Sequence, residues 1–378
     1  MTDFRPTRAV IDLDAVRHNV RTLLATAGRA QLCVVVKANG YGHGAVPVAV
    51  AALEAGATHL AISSVKEGRE LRHAGIASPI LLFSEPPTPA IGEVADLRLT
   101  PPLYTEAFAA AYAEEGWRRG IDLPVHLAFD TGMGRVGVEP ARWSSFLDHL
   151  APLLGSGIEV TGTWSHLARA DEPDDDATAR QLDGFAEVRG LLADRGIGPG
   201  IVHIANSAGT LLHDDARGDR VGMVRAGIAV YGLSPDVTHV DAVAHGLRPA
   251  LSLTTAVAFV KPVSEATPIS YGHRWCAPSD GWIATLPIGY ADGVPRRLTG
   301  EFELLIGGRR RPVVGTVTMD MIHVWFDDAP PALGDEAVLI GRQGTEQIRI
   351  EDWARTVGTI TYEITCQLTS RVPRVHLN

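Results

Sequence analysis

The stretch CVVVKANGYGHG, residues 33–44, joins a strand-like run to a lysine and a glycine-rich turn. The apolar and β-branched residues 33–36 predict a buried strand. Lys37 ends that strand, where burial disfavours a charged ammonium group unless the lysine pairs with an opposite charge or takes part in chemistry. The same penalty makes its amine suitable for Schiff-base chemistry. An isolated lysine would more simply reach solvent or pair with a carboxylate, but here Tyr41 and His43 follow among three glycines.

Around this stretch, short apolar segments alternate with helix-like segments over residues 10–240. Eight strand–helix units in this length predict an α/β fold, a (β/α)8 TIM-like barrel. A doubly wound open sheet is the alternative because periodicity does not report closure. No GxGxxG sequence follows the first strand, which disfavours dinucleotide binding. The candidate strands are CVVVK at 33–37, HLAISS at 59–64, PILLFS at 79–84, LRLTPP at 97–102, PVHLAFD at 124–130, IEVTGTWSH at 158–166, IVHIAN at 201–206 and MVRAGIAVYG at 223–232.

Residues 241–378 have a different sequence pattern, with short β-like runs separated by glycine or proline turns. Only IEDWARTVG, beginning at Ile350, has the pattern of a clear helix. We therefore predict a smaller, mostly β C-terminal domain. The early strand-like segment RAVIDL, residues 8–13, could either begin the barrel or add to the β domain, which residues 1–9 could then join.

Composition excludes several classes of protein. A chain of 378 residues is long for one core, so two domains are expected. With 34 basic and 44 acidic residues the net charge is 34 − 44 = −10, which disfavours nucleic acid or an anionic membrane as partner. No apolar run reaches membrane-spanning length, and the first residues lack the core of a secretion signal. Three scattered cysteines predict neither disulfides nor a metal site. We expect a cytoplasmic protein without a metal.

Polar side chains recur near the carboxyl ends of the predicted strands, which is the face where barrels of this class build active sites. Arg135 follows a glycine-rich loop, DTGMGRVG, and could hold a carboxylate through two parallel bonds or form a surface ion pair. Asn206 and Ser207 begin a helix, where backbone N–H groups bind phosphate but where Asn and Ser are also common caps. The full set is Lys37, Arg135, His166, Asn206, Ser207 and Arg225.

Ten segments of the chain together resemble alanine racemase, a fold-type III pyridoxal 5'-phosphate enzyme. They occur in that family's order along nearly the whole sequence. The segments are VVKANGYGHG, DTGMGRVG, WSHLARADE, HIANSAGTL, VRAGIAVYGLSP, ISYGH, LPIGYADG, VGTVTMD, LIGRQG and TYEITCQLTSRVPR. The resemblance implies a barrel followed by a β domain, in a head-to-tail homodimer whose active sites are completed by the partner's β domain.

The resemblance also implies a role for each matching residue. Lys37 would bind pyridoxal phosphate as a Schiff base, His166 would pack against the cofactor ring, and Arg225 would bond to the ring nitrogen. The cofactor phosphate would be held at the start of the helix after Asn206, by Tyr41, Ser207, the backbone of Gly227 and Ile228, and Tyr362. Arg135 would bind the substrate carboxylate, with the partner subunit's Met319 nearby and the partner subunit's Tyr290 at the entrance.

Racemisation removes a proton from one side of Cα and delivers one to the other, so it needs two acid–base groups. Lys37 would be one and the partner subunit's Tyr271 the other. Tyr271 needs help, because the ordinary tyrosine pKa of about 10 is too high for a base near neutral pH; the pair of His166 and Arg225 could supply a cationic field. An arginine at the ring nitrogen disfavours protonation there and makes the cofactor a weaker electron sink.

One position departs from the family. Many members carry a carbamate-modified lysine two residues before the aspartate of DTGMGR, and this chain has Ala128 there. Arg135 then needs another partner, and substrate breadth could differ. We predict interconversion of L- and D-alanine for cell-wall precursors, with a racemase of serine or of a broader set of amino acids as the alternative. An amino-acid decarboxylase and a non-catalytic cofactor-binding protein are rivals that Arg225 and the β domain, respectively, disfavour.

Overall fold

The computed structural model describes residues 5–218 and 221–378. The first part of the chain alternates parallel strands with helices, and the last part is mostly β. The helices are α1 Leu13–Ala27, α2 Lys37–Tyr41, α3 Ala45–Glu54, α4 Val65–His73, α5 Ile91–Asp96, α6 Glu106–Arg119, α7 Trp143–Leu150, α8 Ala177–Asp194, α9 Ser207–Leu212, α10 Ile350–Val357 and α11 Thr361–Cys366.

The strands that carry the candidate site residues are all parallel to their neighbours. They form two sheets, with orders β10-β2-β3-β4-β5 and β6-β7-β8-β9. These strands are β2 Gln31–Val35, β3 His59–Ile62, β4 Ile80–Leu82, β5 Leu99–Thr100, β6 Pro102–Leu103, β7 Leu123–Ala128, β8 Ile158–Trp164, β9 Ile201–His203 and β10 Met223–Ala226.

Each of the eight predicted strands is present, and the fourth is divided between the two sheets at Pro101. Proline has no N–H to donate to a ladder, so it ends one pairing and begins another. Backbone hydrogen bonds connect the sheets at both edges: His126 N donates to Pro101 O at 3.1 Å, and Gly222 N donates to Val202 O at 2.8 Å. Arg225 N adds a bond to Ala205 O at 3.0 Å.

Four of the helices, α1, α4, α6 and α9, begin at a residue whose side chain caps them. The Asp12 carboxylate accepts the N–H of Ala15 at the start of α1. At α4 the Ser64 hydroxyl accepts the Glu67 N–H, while the Glu67 carboxylate accepts the Ser64 N–H. These reciprocal bonds satisfy amides that a helix leaves unpaired at its first turn, so α4 begins directly after β3.

The remaining strands form one large sheet of order β12-β15-β18-β17-β16-β19-β11-β1-β21, with β20 paired to β19. They are β1 Arg8–Asp12, β11 Leu251–Ala256, β12 Phe259–Val263, β15 Gly281–Leu286, β16 Glu303–Ile306, β17 Arg309–Val314, β18 Ile322–Phe326, β19 Glu336–Gln343, β20 Glu346–Ile348 and β21 Arg374–Leu377. A separate hairpin pairs β13 Pro268–Ile269 with β14 Trp275–Cys276.

Strand β1 answers the question left open for RAVIDL, because it lies between β11 and β21 in the C-terminal sheet. The boundaries 10–240 and 241–378 stay a prediction, and Arg8–Asp12 pairs with the second of these segments. One expectation was wrong: α10 is not the only clear helix after residue 241, since α11 follows it. The β-branched residues of α11, Thr361, Ile364 and Thr365, weaken its helical signal in the sequence.

Among residues 5–218 and 221–378, no helix combines the length and apolar character that crossing a bilayer requires.

Candidate active site

Lys37 lies in a left-handed turn directly after the buried strand β2. The strand ends at Val35, and residues 38–41 have φ angles of 52°, 54°, 61° and 51°. Three of these residues, Ala38, Asn39 and Tyr41, are not glycine, and each costs about 1–2 kcal/mol in this conformation. The turn is held by Glu67, whose carboxylate accepts the Ala38 N–H at 2.7 Å, and by Asn39, whose side chain accepts the Ala45 N–H at 3.0 Å.

The turn opens into a cavity of about 450 Å³ at the carboxyl ends of the parallel strands. Nine of the predicted site residues line it: Lys37, Tyr41, Arg135, His166, Asn206, Ser207, Arg225, Gly227 and Tyr362. A larger cavity of about 750 Å³ lies between α8 and the segment after α9 and contains none of them. Chemistry, not size, therefore identifies the candidate site.

Burial lowers the pKa of the Lys37 ammonium, and the nearby charge of Arg135 lowers it further. Glu67 opposes this effect but does not cancel it. The Lys37 Nζ lies 5.6 Å from the centroid of the Phe83 ring. A lysine with a depressed pKa has a larger fraction of neutral amine near neutral pH, which is the form that attacks a carbonyl.

Arg225 is 2% exposed, and its guanidinium group donates only to neutral acceptors. It bonds to Ser165 O at 2.8 Å, to the His203 Nδ1 at 2.7 Å and to the His166 Nδ1 at 3.2 Å. Burial lowers its pKa to about 10, with Arg135 adding to the effect. The Arg225 Nε–H has no partner within the described part of the chain, so a buried donor is left for an acceptor in the cavity.

The histidines beside Arg225 must be neutral in order to accept its N–H groups. Burial lowers the pKa of His166 and that of His203 well below the usual value, and Arg225 adds to both shifts. His203 accepts from Arg225 at Nδ1, so its proton is on Nε2, which lies 2.8 Å from the His126 Nδ1. The cation of this cluster is therefore Arg225 and not His166. The His126 ring leaves no room for a Cβ on Gly162, which would lie 2.5 Å from it.

Hydroxyl groups line the opposite end of the cavity, where a phosphate was predicted. The Ser207 Oγ accepts the N–H of Gly227 at 2.9 Å and that of Ala229 at 3.3 Å. A Cβ on Gly227 would lie 2.5 Å from the Tyr41 hydroxyl. Burial raises the pKa of Tyr41 and also that of Tyr362, so both phenols keep their protons and can donate to an oxyanion.

Two residues predicted at the phosphate end, Asn206 and Ile228, also contribute to the fold. The Asn206 side chain caps α9, accepting the Gly209 N–H at 2.9 Å and donating to Leu167 O at 3.2 Å. The ordinary-cap interpretation of Asn206 is thus correct, although the residue also lines the cavity. Ile228 is fully buried beside Gly227 and does not line the cavity with its side chain.

Arg135 lies at the end of a loop that Asp130 organises. The Asp130 carboxylate accepts the N–H groups of Gly132, Met133 and Gly134 at 2.8–3.1 Å. Arg135 is exposed at the cavity, and residues 5–218 and 221–378 give it no hydrogen bond or ion pair. Ala128, the position of the family's lysine, is 1% exposed on β7.

The structure does not bring Tyr271, Tyr290 and Met319 to the cavity of their own chain. All three are exposed, by 74%, 40% and 52% respectively. Hydrogen bonds to loop backbone hold them in neighbouring segments. The Thr316 hydroxyl donates to Tyr271 O, Tyr290 N donates to Thr318 O, and Ala291 N donates to Met319 O. They form an apolar and phenolic surface on the C-terminal domain.

Sequence reasoning missed three cavity residues at the ends of the second and third predicted strands. Phe83 and Ser84 follow β4, and Ser63 follows β3. The signal was present, because all three residues occupy the last two positions of segments that were predicted as strands. Small or apolar side chains at a strand end carry no chemical signature, so they were not singled out.

Comparisons with known proteins agree with this geometry. The family model for the N-terminal domain of alanine racemase matches residues 11–235, and the model for its C-terminal domain matches residues 250–376. The alanine racemase of Symbiobacterium thermophilum is 47% identical over 373 residues, which is 98% of this chain and 97% of that protein.

Solved structures extend the similarity to three dimensions. The alanine racemase from D-cycloserine producing Streptomyces lavendulae has a TM-score of 0.93 at 39% identity, covering 100% of this chain and 98% of that one. The alanine racemase from Bartonella henselae, with covalently bound pyridoxal phosphate, has a TM-score of 0.86 at 27% identity, covering 98% and 99%. On its sequence and its fold, this chain belongs to the alanine racemase family.

Proposed function

We propose that this protein is a cytoplasmic, pyridoxal-phosphate-dependent racemase that interconverts L- and D-alanine and supplies D-alanine for cell-wall precursors. The observation that carries the proposal is a half-buried lysine with a depressed pKa, Lys37, in the same cavity as an arginine with an unpaired N–H, Arg225. Lys37 and Tyr271 act as the two acid–base groups, at Nζ and Oη, on opposite sides of the substrate Cα.

The residues of the cavity fit pyridoxal phosphate at both ends. The unpaired Nε–H of Arg225 suits a ring nitrogen that accepts a hydrogen bond. The hydroxyls of Ser207, Tyr41 and Tyr362 suit a phosphate. When bound, the cofactor supplies an aldehyde that condenses with amines and a ring that delocalises the electron pair left at Cα.

The electrostatics of the chain assign each group its protonation state. Arg225, with a pKa of about 10, stays charged near neutral pH and donates a hydrogen bond without giving up its proton. His166 stays neutral, accepts from Arg225 and offers a flat face to a ring in the cavity. Arg225 is therefore the cation beside His166 in this cavity.

Substrate binding is assigned to Arg135. It reaches the cavity from an ordered loop and lacks a carboxylate partner in the described chain, so it is available to a substrate carboxylate. Phe83 and Val136 also line the cavity, and apolar side chains there favour a small substrate side chain such as methyl.

The second base comes from a homodimer in this proposal. Tyr271, Tyr290 and Met319 lie on an exposed surface that is absent from the cavity lining of their own chain. Tyrosine and methionine are enriched in protein interfaces. A head-to-tail pair would place this surface of one subunit against the cavity of the other, so that the partner subunit's Tyr271 faces Lys37.

The proposal includes a closed (β/α)8 barrel for the N-terminal domain. Strand β10 pairs with β2, which joins the eighth predicted strand to the first. The bonds from Gly222 to Val202 and from Arg225 to Ala205 connect β9 with β10, and the bond from His126 to Pro101 connects the other edges. Closure aligns the strand ends in one ring, which is where the cavity lies.

A racemase of serine or of a broader set of amino acids is the second candidate. Ala128 favours it, because the buried position that carries a carbamate-modified lysine, an acceptor for arginine, in many family members has only a methyl group here. Arg135 then has more freedom to adapt to larger substrates.

A substrate panel tests the function directly. Cofactor-loaded protein is incubated with L-alanine, D-alanine, L-serine and larger amino acids, and the enantiomers are separated chromatographically. We expect D-alanine from L-alanine and the reverse. Racemisation of serine with alanine unchanged would replace the first candidate by the second, and a bound cofactor with every amino acid unchanged would point to a non-catalytic protein.

Replacing Arg135 by glutamine should raise the KM for alanine by about ten- to a hundredfold, because a charged hydrogen bond to the carboxylate contributes about 1.5–3 kcal/mol. The dissociation constant of the cofactor should change little. Steady-state kinetics and cofactor titration measure the two effects. Arg142→Gln is the matched control, since Arg142 lies on the surface beyond the same loop and pairs with Glu106; an equal KM change in both variants would remove the assignment.

A further inference from the structure

We propose that Arg374, in the last strand β21, is a positioning residue for the phosphate end of the cofactor cavity. The inference rests on the proposed function. It assigns a role to the C-terminal strand, which lines no part of the cavity. The role is to hold together the two chain segments that carry Tyr41 and Tyr362.

Arg374 makes four hydrogen bonds, all to backbone carbonyl groups. Its Nε donates to Gly42 O at 2.8 Å, and its two terminal nitrogens donate to Leu368 O at 2.6 Å, to Thr369 O at 2.6 Å and to Val372 O at 2.7 Å. Gly42 and Leu368 are more than three hundred residues apart in sequence. One guanidinium group thus connects the turn after β2 to the segment after α11.

Two of these carbonyls, those of Gly42 and Leu368, belong to the chain segments that carry the two phenols of the cavity. Gly42 follows Tyr41 directly, and Leu368 lies two residues beyond α11, which contains Tyr362. The Tyr41 and Tyr362 rings are 5.7 Å apart between centroids. The backbones themselves touch, since a Cβ on Gly42 would lie 2.3 Å from Thr365 O. The distance between the two phenols therefore depends on the contact between these two backbone segments.

The turn after β2 needs such support because its conformation is unfavourable. Ala38, Asn39 and Tyr41 all have positive φ angles, which L-amino acids disfavour. Glu67 holds the beginning of the turn, and Arg374 holds its end. His376, two residues further along the same strand, adds a hydrogen bond from its Nε2 to His43 O at 2.8 Å.

Loss of Arg374 would leave the carbonyls of Gly42 and Leu368 without this donor. The Tyr41 hydroxyl, which now lies against Gly227, could then move away from Ser207. Lys37 lies at the other end of the turn, two residues after β2, and the pairing of that strand holds its backbone in place. The expected damage is thus greater at the phosphate end than at the aldehyde end.

The test compares two cofactor forms on the cofactor-free protein. Dissociation constants are measured for pyridoxal phosphate and for pyridoxal, which has the aldehyde but no phosphate. For Arg374→Gln we expect the first constant to rise about tenfold, as for loss of a hydrogen bond to a charged group, and the second to change less than twofold. Arg374→Lys, which keeps the charge but not the fork of donors, should fall between.

Arg355→Gln is the matched control, because Arg355 lies in α10 of the same domain and pairs with Asp352 at the surface. It should leave both constants unchanged. Gly42→Ala provides a second approach that keeps the Arg374 side chain, since its Cβ would lie 2.3 Å from Thr365 O and force the two segments apart; it should also weaken binding of the phosphate form selectively.

Unchanged binding of pyridoxal phosphate in both Arg374→Gln and Gly42→Ala would overturn the proposal. Equal weakening of the two cofactor forms would also overturn it, because that outcome indicates a general loss of structure. A wild-type protein that binds neither form would instead remove the proposed function, so the two failures are distinguishable.

Discussion

Replacing Lys37 by alanine is expected to eliminate the visible absorbance of the bound cofactor and to lower racemisation by ~10³-fold or more. In the proposed function the amine is both the covalent attachment point and one of the two acid–base groups, and a positioned acid–base group alone contributes about 10²–10⁴-fold. The spectrum of the purified protein and the formation of D-alanine measure the two losses.

The composition of the chain gives this prediction a clean control. The protein has three lysines, Lys37, Lys66 and Lys261, and only the first lines the candidate cavity. Borohydride reduction of the loaded protein followed by peptide mass spectrometry should place the cofactor on Lys37. Lys66→Ala and Lys261→Ala should keep spectrum and activity, and a label on either of those residues would contradict the assignment.

Replacing Tyr271 by phenylalanine should leave the cofactor spectrum intact and slow removal of the L-substrate's proton by ~10²–10⁴-fold. The change removes one oxygen from a side chain that is 74% exposed, so the fold should be unaffected. Tyr112→Phe is the matched control because the buried Tyr112 hydroxyl has no partner within the described residues. Solvent-deuterium exchange at Cα, measured from each enantiomer separately, reports the step that is lost.

Mixing the two inactive variants tests where the second base comes from. In a head-to-tail dimer, a subunit with Lys37→Ala and a partner with Tyr271→Phe form one site that has both intact residues. Random reassociation makes about half of the dimers mixed, with one good site of two, so about a quarter of the wild-type activity should return. Activity that stays at the level of the separate variants would show that each site is built within a single chain.

The features predictable from sequence are those encoded locally. Buried strands appear as apolar runs, and the residues just beyond them, such as Lys37 and His166, are polar where the run would otherwise continue. Most strand ends were placed two or three residues late, as for β2, which ends at Val35, and β9, which ends at His203; the eighth was placed six residues late, since β10 ends at Ala226. The sequence alone does not separate a strand's last residue from the turn that follows it.

The features that escaped prediction depend on contacts between distant residues. The left-handed turn contains Ala38 and Asn39, and local propensity would not place alanine at positive φ; bonds from Glu67 and Arg374 impose it. His203 was visible only as part of a strand, yet it is an acceptor for Arg225. Helix α11 was missed because tertiary packing, not propensity, determines a short segment of this composition.

The pairing of β1 with β11 and β21 has a consequence for the order of synthesis. Arg8–Asp12 is made among the first residues of the chain, but one of its partners is made after residue 250 and the other is the final strand. Strand β1 therefore stays unpaired until β11 has been made, and one of its two edges lacks a partner until β21 follows. Because Arg374 in β21 also bonds to the turn beside Lys37, a chain made only as far as β20 would have all the strands of its two parallel sheets while this turn still lacked that contact.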